Sequence, residues 1–130
     1  MTSKINYGET PEFQKDFKRL LKKFKSLEGD FELVKIATIE LFHIQKMNNS
    51  SIFPAQGYCT NKIQVCKIKK FACKALKGKG RKSGIRVIYA FHCENCKVDF
   101  IEIYFKGNKE NENRERIKEY LKNLSAASAP

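Results

Sequence analysis

The chain has 130 residues with 42% hydrophobic content, enough to bury one domain core and too little for two. Lysine and arginine number 26 against 14 acidic residues, and the resulting net charge of +12 favours an anionic partner such as nucleic acid. No stretch reaches the roughly 18 apolar residues of a membrane span and the opening MTSKINYGETPEF has no apolar signal core, so a cytoplasmic protein without membrane association is expected.

In chain order, a short strand is expected at Lys4 to Tyr7, joining a sheet edge. Thr10, Pro11 and Glu12 supply a capping hydroxyl, a first-turn proline and a first-turn acid, the chemistry of a helix start. Phe13, Phe17, Leu20, Leu21 and Phe24 then recur at three- and four-residue steps, which makes that helix amphipathic. A break at Leu27-Glu28-Gly29-Asp30 leads into a second helix, with Asp30 as its cap, and so short a link implies an antiparallel hairpin. The loop-forming run NNSSIFPAQG, from Asn48 to Gly57, carries the chain into a sheet. Three strands are expected there in a meander: Gln64 to Leu76, Ile85 to Phe91 and Val98 to Lys106.

The first of these strands loses its alternation midway. A bulge at Lys69-Lys70 would restore it, keeping Cys66, Ile68, Phe71, Cys73 and Ala75 on the core face and Lys67 and Lys74 on the other. A charged helix is expected from Glu110 to Leu124, with Ile117, Tyr120, Leu121 and Leu124 on its apolar side. The small polar ending SAASAP is expected to be disordered over 125–130, leaving one domain over 1–124. The fold class is therefore α+β: an N-terminal helical hairpin packed on a small, mainly antiparallel sheet, with a C-terminal helix.

The charge is unevenly placed. From Leu41 to Cys93 there is no acidic residue, yet eleven lysines and arginines fall in that stretch, among them Lys67, Lys69, Lys70, Lys74, Lys77, Lys79, Arg81, Lys82 and Arg86. Unrelieved like charge opposes folding, so this is read as an anion-binding surface on the sheet and its long hairpin rather than a solvated face.

The phrases FQKDFKRLLKKF, CKIKKFACKALKGKGRKSGIRVIYAF and VDFIEIYFKGNKENENRERIKEYL, in this order of elements, resemble the RelE/ParE superfamily of toxins, and its RelE-like branch in particular, over roughly residues 4 to 122. The resemblance implies the toxin of a type II toxin-antitoxin system that cuts messenger RNA on the ribosome, with a cognate antitoxin, messenger RNA and the ribosome as partners and no cofactor. It matches Lys67 and Lys69, with Lys70 beside them, to the strand lysines of RelE ribonucleases. Arg86 matches the arginine of the next strand, and Lys106 the cation at the end of the last one. Tyr120 resembles the tyrosine that some members stack on a base. The RNA-binding set expected around these is Lys74, Lys77, Lys79, Arg81, Lys82 and Tyr120. A longer hairpin between the lysine strand and Arg86 departs from the family pattern and leaves open which lysine acts in chemistry.

Such a ribonuclease uses the substrate's 2′-hydroxyl as nucleophile, so it needs a base, a stabiliser of the dianionic transition state and an acid for the 5′-oxygen. Arg86 suits a two-pronged grip on phosphate. One of Lys67, Lys69 or Lys70, crowded by other cations, would lose its proton more easily and serve as base, and Lys106 would stabilise charge or protonate the leaving group. Two other readings stand beside this one: a ParE-like toxin that inhibits DNA gyrase, and a module that binds RNA or the ribosome without cutting. Cys93 and Cys96, with His92 adjacent, have no second ligand pair, so no metal site is expected, and His43 is read as a packed residue. The odd count of five cysteines suggests no disulfide framework.

Overall fold

The computed structural model describes residues 5–47, 51–76 and 83–128. Helix α1 (Pro11–Lys23) starts as its sequence dictates, with the Thr10 hydroxyl accepting the Phe13 amide at 3.2 Å. Phe13 and Leu20 are buried, with Phe17 and Leu21 packed partly beside them, which is the stripe the spacing implies.

The second helix, α2 (Leu27–Val34), begins before the predicted break rather than after it. Asp30 is not its cap. Its carboxylate is buried inside the helix, where it accepts the Ser26 hydroxyl at 2.6 Å and the Lys74 amide at 3.0 Å. Full burial of Leu27 draws the helix start back, and the distant Lys74 amide uses the acid that local sequence assigned to capping. Phe13 and Phe17, early in α1, meet Phe31 of α2 at 5.7 and 5.4 Å between ring centroids, so the hairpin is antiparallel as expected. Beyond Val34 a π-helical turn (Lys35–Glu40) leads to α3 (Leu41–His43). The Tyr7 hydroxyl lies 3.0 Å from the Glu40 carboxylate and 3.3 Å from the Lys35 carbonyl, so the widened turn sits where the helices meet the sheet edge.

Five strands form one sheet in the order β1-β5-β4-β3-β2. The edge strand β1 (Asn6–Glu9) runs parallel to β5 (Lys97–Phe105), two residues further along than predicted. The run expected to be only a connection contains β2 (Ile52–Pro54), paired antiparallel with β3 (Ile63–Ile68). Strand β4 (Ile85–His92) lies antiparallel between β3 and β5. Strand β3 stops at Ile68 instead of reaching Leu76. The Ser26 hydroxyl and the Asp30 carboxylate take the Ala75 and Lys74 amides and pull the chain out of the ladder. Cys66, Ile68, Phe71 and Cys73 are in the core as expected, but Ala75 is exposed.

No bulge is needed at Lys69-Lys70, because the strand has already ended there. The irregularity falls between β4 and β5, where Ile88 opposes Glu102 but Tyr89 opposes Phe100, so Ile101 is the extra residue. Two cores result. The larger, with Phe13, Phe31, Phe71, Tyr89 and Phe100, lies between the sheet and α1–α3. The smaller, with Val65, Ile88, Ala90, Ile101 and Ile117, lies on the opposite face under α4 (Arg114–Ser128). Helix α4 starts four residues after the expected Glu110 and runs through Ser128. Among the described residues no helix is long and apolar enough to cross a membrane.

Candidate functional site

Alternation along β3 turns Cys66 and Ile68 into the larger core and Val65 and Lys67 to the face that α4 covers. Helix α4 leaves part of that face open. Between its first turns and the end of β3 lies a cleft of about 750 Å³, lined by Lys67 and Lys69 on the sheet side and Arg114 and Lys118 on the helix side. Phe53 and Tyr58 form an aromatic wall, and Glu112 enters from the loop before α4. The Lys69 ammonium sits 4.6 Å from the centroid of the Phe53 ring.

Lys67 is the most constrained of these cations. Its ammonium lies 3.0 Å from the Glu112 carboxylate and 5.7 Å from the Tyr104 ring centroid, and each member of the ion pair has about 15% of its side chain exposed. Burial alone would lower its pKa, but the Tyr104 hydroxyl beside it and the Glu112 carboxylate raise it above the ordinary lysine value. The charge nearest Lys67 is thus an acid rather than another cation, and it favours the protonated form. Burial would raise Glu112, and Lys67 outweighs it, holding the carboxyl below the usual range. The Tyr104 hydroxyl is itself buried, without a partner of full hydrogen-bond geometry among the described residues.

The bulge in β5 positions the loop that carries Glu112. Glu102, only 1% exposed, accepts the Asn113 amide at 2.8 Å and pairs with the Lys109 ammonium. Glu102→Ala strands that amide and loosens the loop, and is expected to cost about 2 kcal/mol in urea denaturation. A change below about 0.5 kcal/mol would show that the anchor is dispensable.

The other predicted residues are dispersed. Arg86 lies on β4 opposite Tyr104, and its guanidinium donates to the Lys69 carbonyl, so it braces the cleft margin instead of pointing into it. Gly84, at φ 88°, makes the turn into that strand. Lys106 is exposed just past β5, with its amide bonded to the Gly84 carbonyl, and does not line the cleft. Lys70 and Lys74 are on the opposite side of the sheet, where they line a separate groove of about 520 Å³ against α2. They part from Lys67 and Lys69 because β3 ends at Ile68 and the next residues cross to the helical layer. Lys77, Lys79, Arg81 and Lys82 lie outside the described residues.

Tyr120 is not an open stacking platform. Its hydroxyl donates to Asp99 at 2.5 Å and is 2.7 Å from His92 Nε2, pinning α4 to the sheet away from the cleft. His43 is the packed residue expected, 5% exposed, stacked 4.0 Å from Phe91 and hydrogen-bonded to the Tyr89 hydroxyl at 2.7 Å. The cysteines are free thiols. Sequence reasoning missed Glu112, Lys118, Tyr58 and Tyr104 as part of the site. Only the run of charges from Lys106 to Lys118 hinted that the approach to α4 carries chemistry.

A hairpin of helices on one face, a five-stranded mixed sheet and a last helix across the other face make this a RelE-like α+β fold. Among solved structures it is similar to the archaeal RelE–RelB complex from Pyrococcus horikoshii, with TM-score 0.50 and 14% identity over 81% of this chain and 98% of that one. It is also similar to a double mutant of the E. coli toxin RelE in the free state, with TM-score 0.46 and 16% identity over 92% of this chain and 96% of that one. No protein-family model and no curated protein sequence matches the chain.

Proposed function

We propose that this protein is the toxin of a type II toxin-antitoxin pair and that it cuts messenger RNA on the ribosome by metal-independent attack of the 2′-hydroxyl. The observation that carries this reading is the cleft on the RelE-like sheet, with Lys67 and Lys69 facing Arg114 and Lys118 across a gap walled by Phe53 and Tyr58. Cations on two walls grip successive phosphates, and the aromatic wall suits an unstacked base, the combination by which single-stranded RNA is held. Fixed cations aimed at a phosphorane are worth roughly 3 kcal/mol each by analogy with oxyanion holes. The archaeal neighbour was solved as a RelE–RelB complex, which supports a cognate antitoxin as the protein partner here.

The test is to add purified protein to ribosomes programmed with messenger RNA and to map new 5′ ends. New ends within codons support the reading. If none appear while gyrase supercoiling falls, the protein is a ParE-like inhibitor, and if it binds ribosomes without cutting, it is a non-catalytic module. Arg86→Ala, which frees the Lys69 carbonyl and so loosens the cleft margin that carries Lys69, is expected to cost about 2 kcal/mol in cleavage efficiency and relieve growth arrest without unfolding the protein. Undiminished arrest would remove Arg86 from the site.

A further inference from the structure

The cleft's lining contains one carboxylate among four cations, and that carboxylate is bonded to the most buried of them. We propose that Glu112 is the general base and Lys67 the general acid of RNA cleavage, acting as a proton-exchanging pair. This rests on the ribonuclease reading above.

A base must be ionised at neutral pH and an acid must hold its proton. A carboxylate and an ammonium are in those states at neutral pH, and what this pair adds is a 3.0 Å contact across which a proton can return after the reaction. Both side chains keep access to the cleft, and the loop that carries Glu112 is fixed by the bond from the Asn113 amide to Glu102.

In the step itself, Glu112 takes the proton of the 2′-hydroxyl as the 2′-oxygen bonds to phosphorus. The bond from phosphorus to the 5′-oxygen breaks, and Lys67 gives that oxygen a proton. The products are a 2′,3′-cyclic phosphate and a 5′-hydroxyl. What remains is a neutral carboxylic acid beside a neutral amine, and the proton crosses their 3.0 Å contact to restore the ion pair. No proton is gained or lost over the cycle.

The experiment uses the full chain with ribosome-bound messenger carrying either an ordinary linkage or a 5′-bridging phosphorothiolate at the cut site, whose sulfur departs without a proton. Glu112→Gln is expected to slow cleavage of both substrates by roughly 10²- to 10⁴-fold while ribosome binding persists. Lys67→Met should be slowed comparably on the ordinary linkage and largely rescued on the phosphorothiolate. Glu112→Asp, which keeps the carboxylate one methylene back, should retain part of the rate and serves if Glu112→Gln fails to fold. Wild-type cleavage should fall in acid as Glu112 is protonated, and Glu112→Gln should lack that limb. The groups facing Glu112 that set its position are Lys67 of β3, Lys69 just beyond it, Tyr104 of β5, and Arg114 and Lys118 of α4.

Cleavage by Glu112→Gln at or above the wild-type rate overturns the proposal, since the carboxylate would then merely occupy a phosphate seat. Failure of the phosphorothiolate to rescue Lys67→Met overturns the acid role. If the wild type produces no cleavage, the ribonuclease reading fails and the pair falls with it. If the wild type cuts and both variants match it, only the pair falls.

Discussion

Arg116→Ala is expected to destabilise the protein by about 3 kcal/mol, a fall of roughly 10 °C in melting temperature for a domain of this size. Arg116 Nη1 lies 2.5 Å from the buried Asp16 carboxylate of α1 and 3.2 Å from the Ile101 carbonyl, so one side chain ties α4 to both the helical layer and the bulged strand. Removing it leaves the carboxylate stranded, because Arg19, its other neighbour at 3.9 Å, is mostly exposed and contributes little. Adding Asp16→Asn should recover part of the loss, since the unpaired charge is the main cost. Helix α4 also carries Arg114 and Lys118, so hydrogen exchange in that helix should rise and, on the proposed ribonuclease reading, RNA affinity should fall with it. Equal stability of Arg116→Ala and wild type would mean that Ile117 and Tyr120 hold the helix unaided.

Acidification from pH 7 to 4 is expected to remove about 3 kcal/mol of stability through His43 alone. Burial, with a smaller contribution from Lys46, lowers the imidazole from its ordinary 6.5 to about 4. Between those values the unfolded chain binds a proton that the folded chain refuses. The contribution is therefore fully present above about pH 6.5 and is lost as pH falls through about 4. Carboxylates add their own acid dependence, so the decisive measurement is the difference between wild type and His43→Gln in urea midpoints at pH 7, 5 and 4. Parallel slopes for the two proteins would show that His43 titrates normally.

Both cases turn on groups whose neighbours come from distant parts of the chain, and the same holds for the candidate site. Periods of three to four and of two carry the helices and β4 into the sequence directly, because a side chain's face follows from its position in a regular element. Thr10-Pro11-Glu12 marks the start of α1, where capping is local chemistry. The acid-free run from Leu41 to Cys93 shows in the sequence where the excess positive charge is concentrated.

Local rules failed where a partner far along the chain competed for the same group. Asp30 reads as a cap because short acids cap helices, yet the Lys74 amide claims it and ends β3 early. That early end divides a continuous run of lysines, sending Lys67 and Lys69 to one face of the sheet and Lys70 and Lys74 to the other. The sequence by itself determined the α+β class, the order of the elements apart from β2, and the concentration of positive charge in one stretch, all of which depend on neighbours within a few residues. Only the tertiary structure decided that Lys67 is paired and protonated, that Tyr120 is a pin for α4, and that Glu112 stands in the cationic cleft. Those outcomes depend on a bulge and a helix terminus that bring residues 45 positions apart to 3.0 Å, and electrostatic identity at such a distance is set by packing rather than by adjacency.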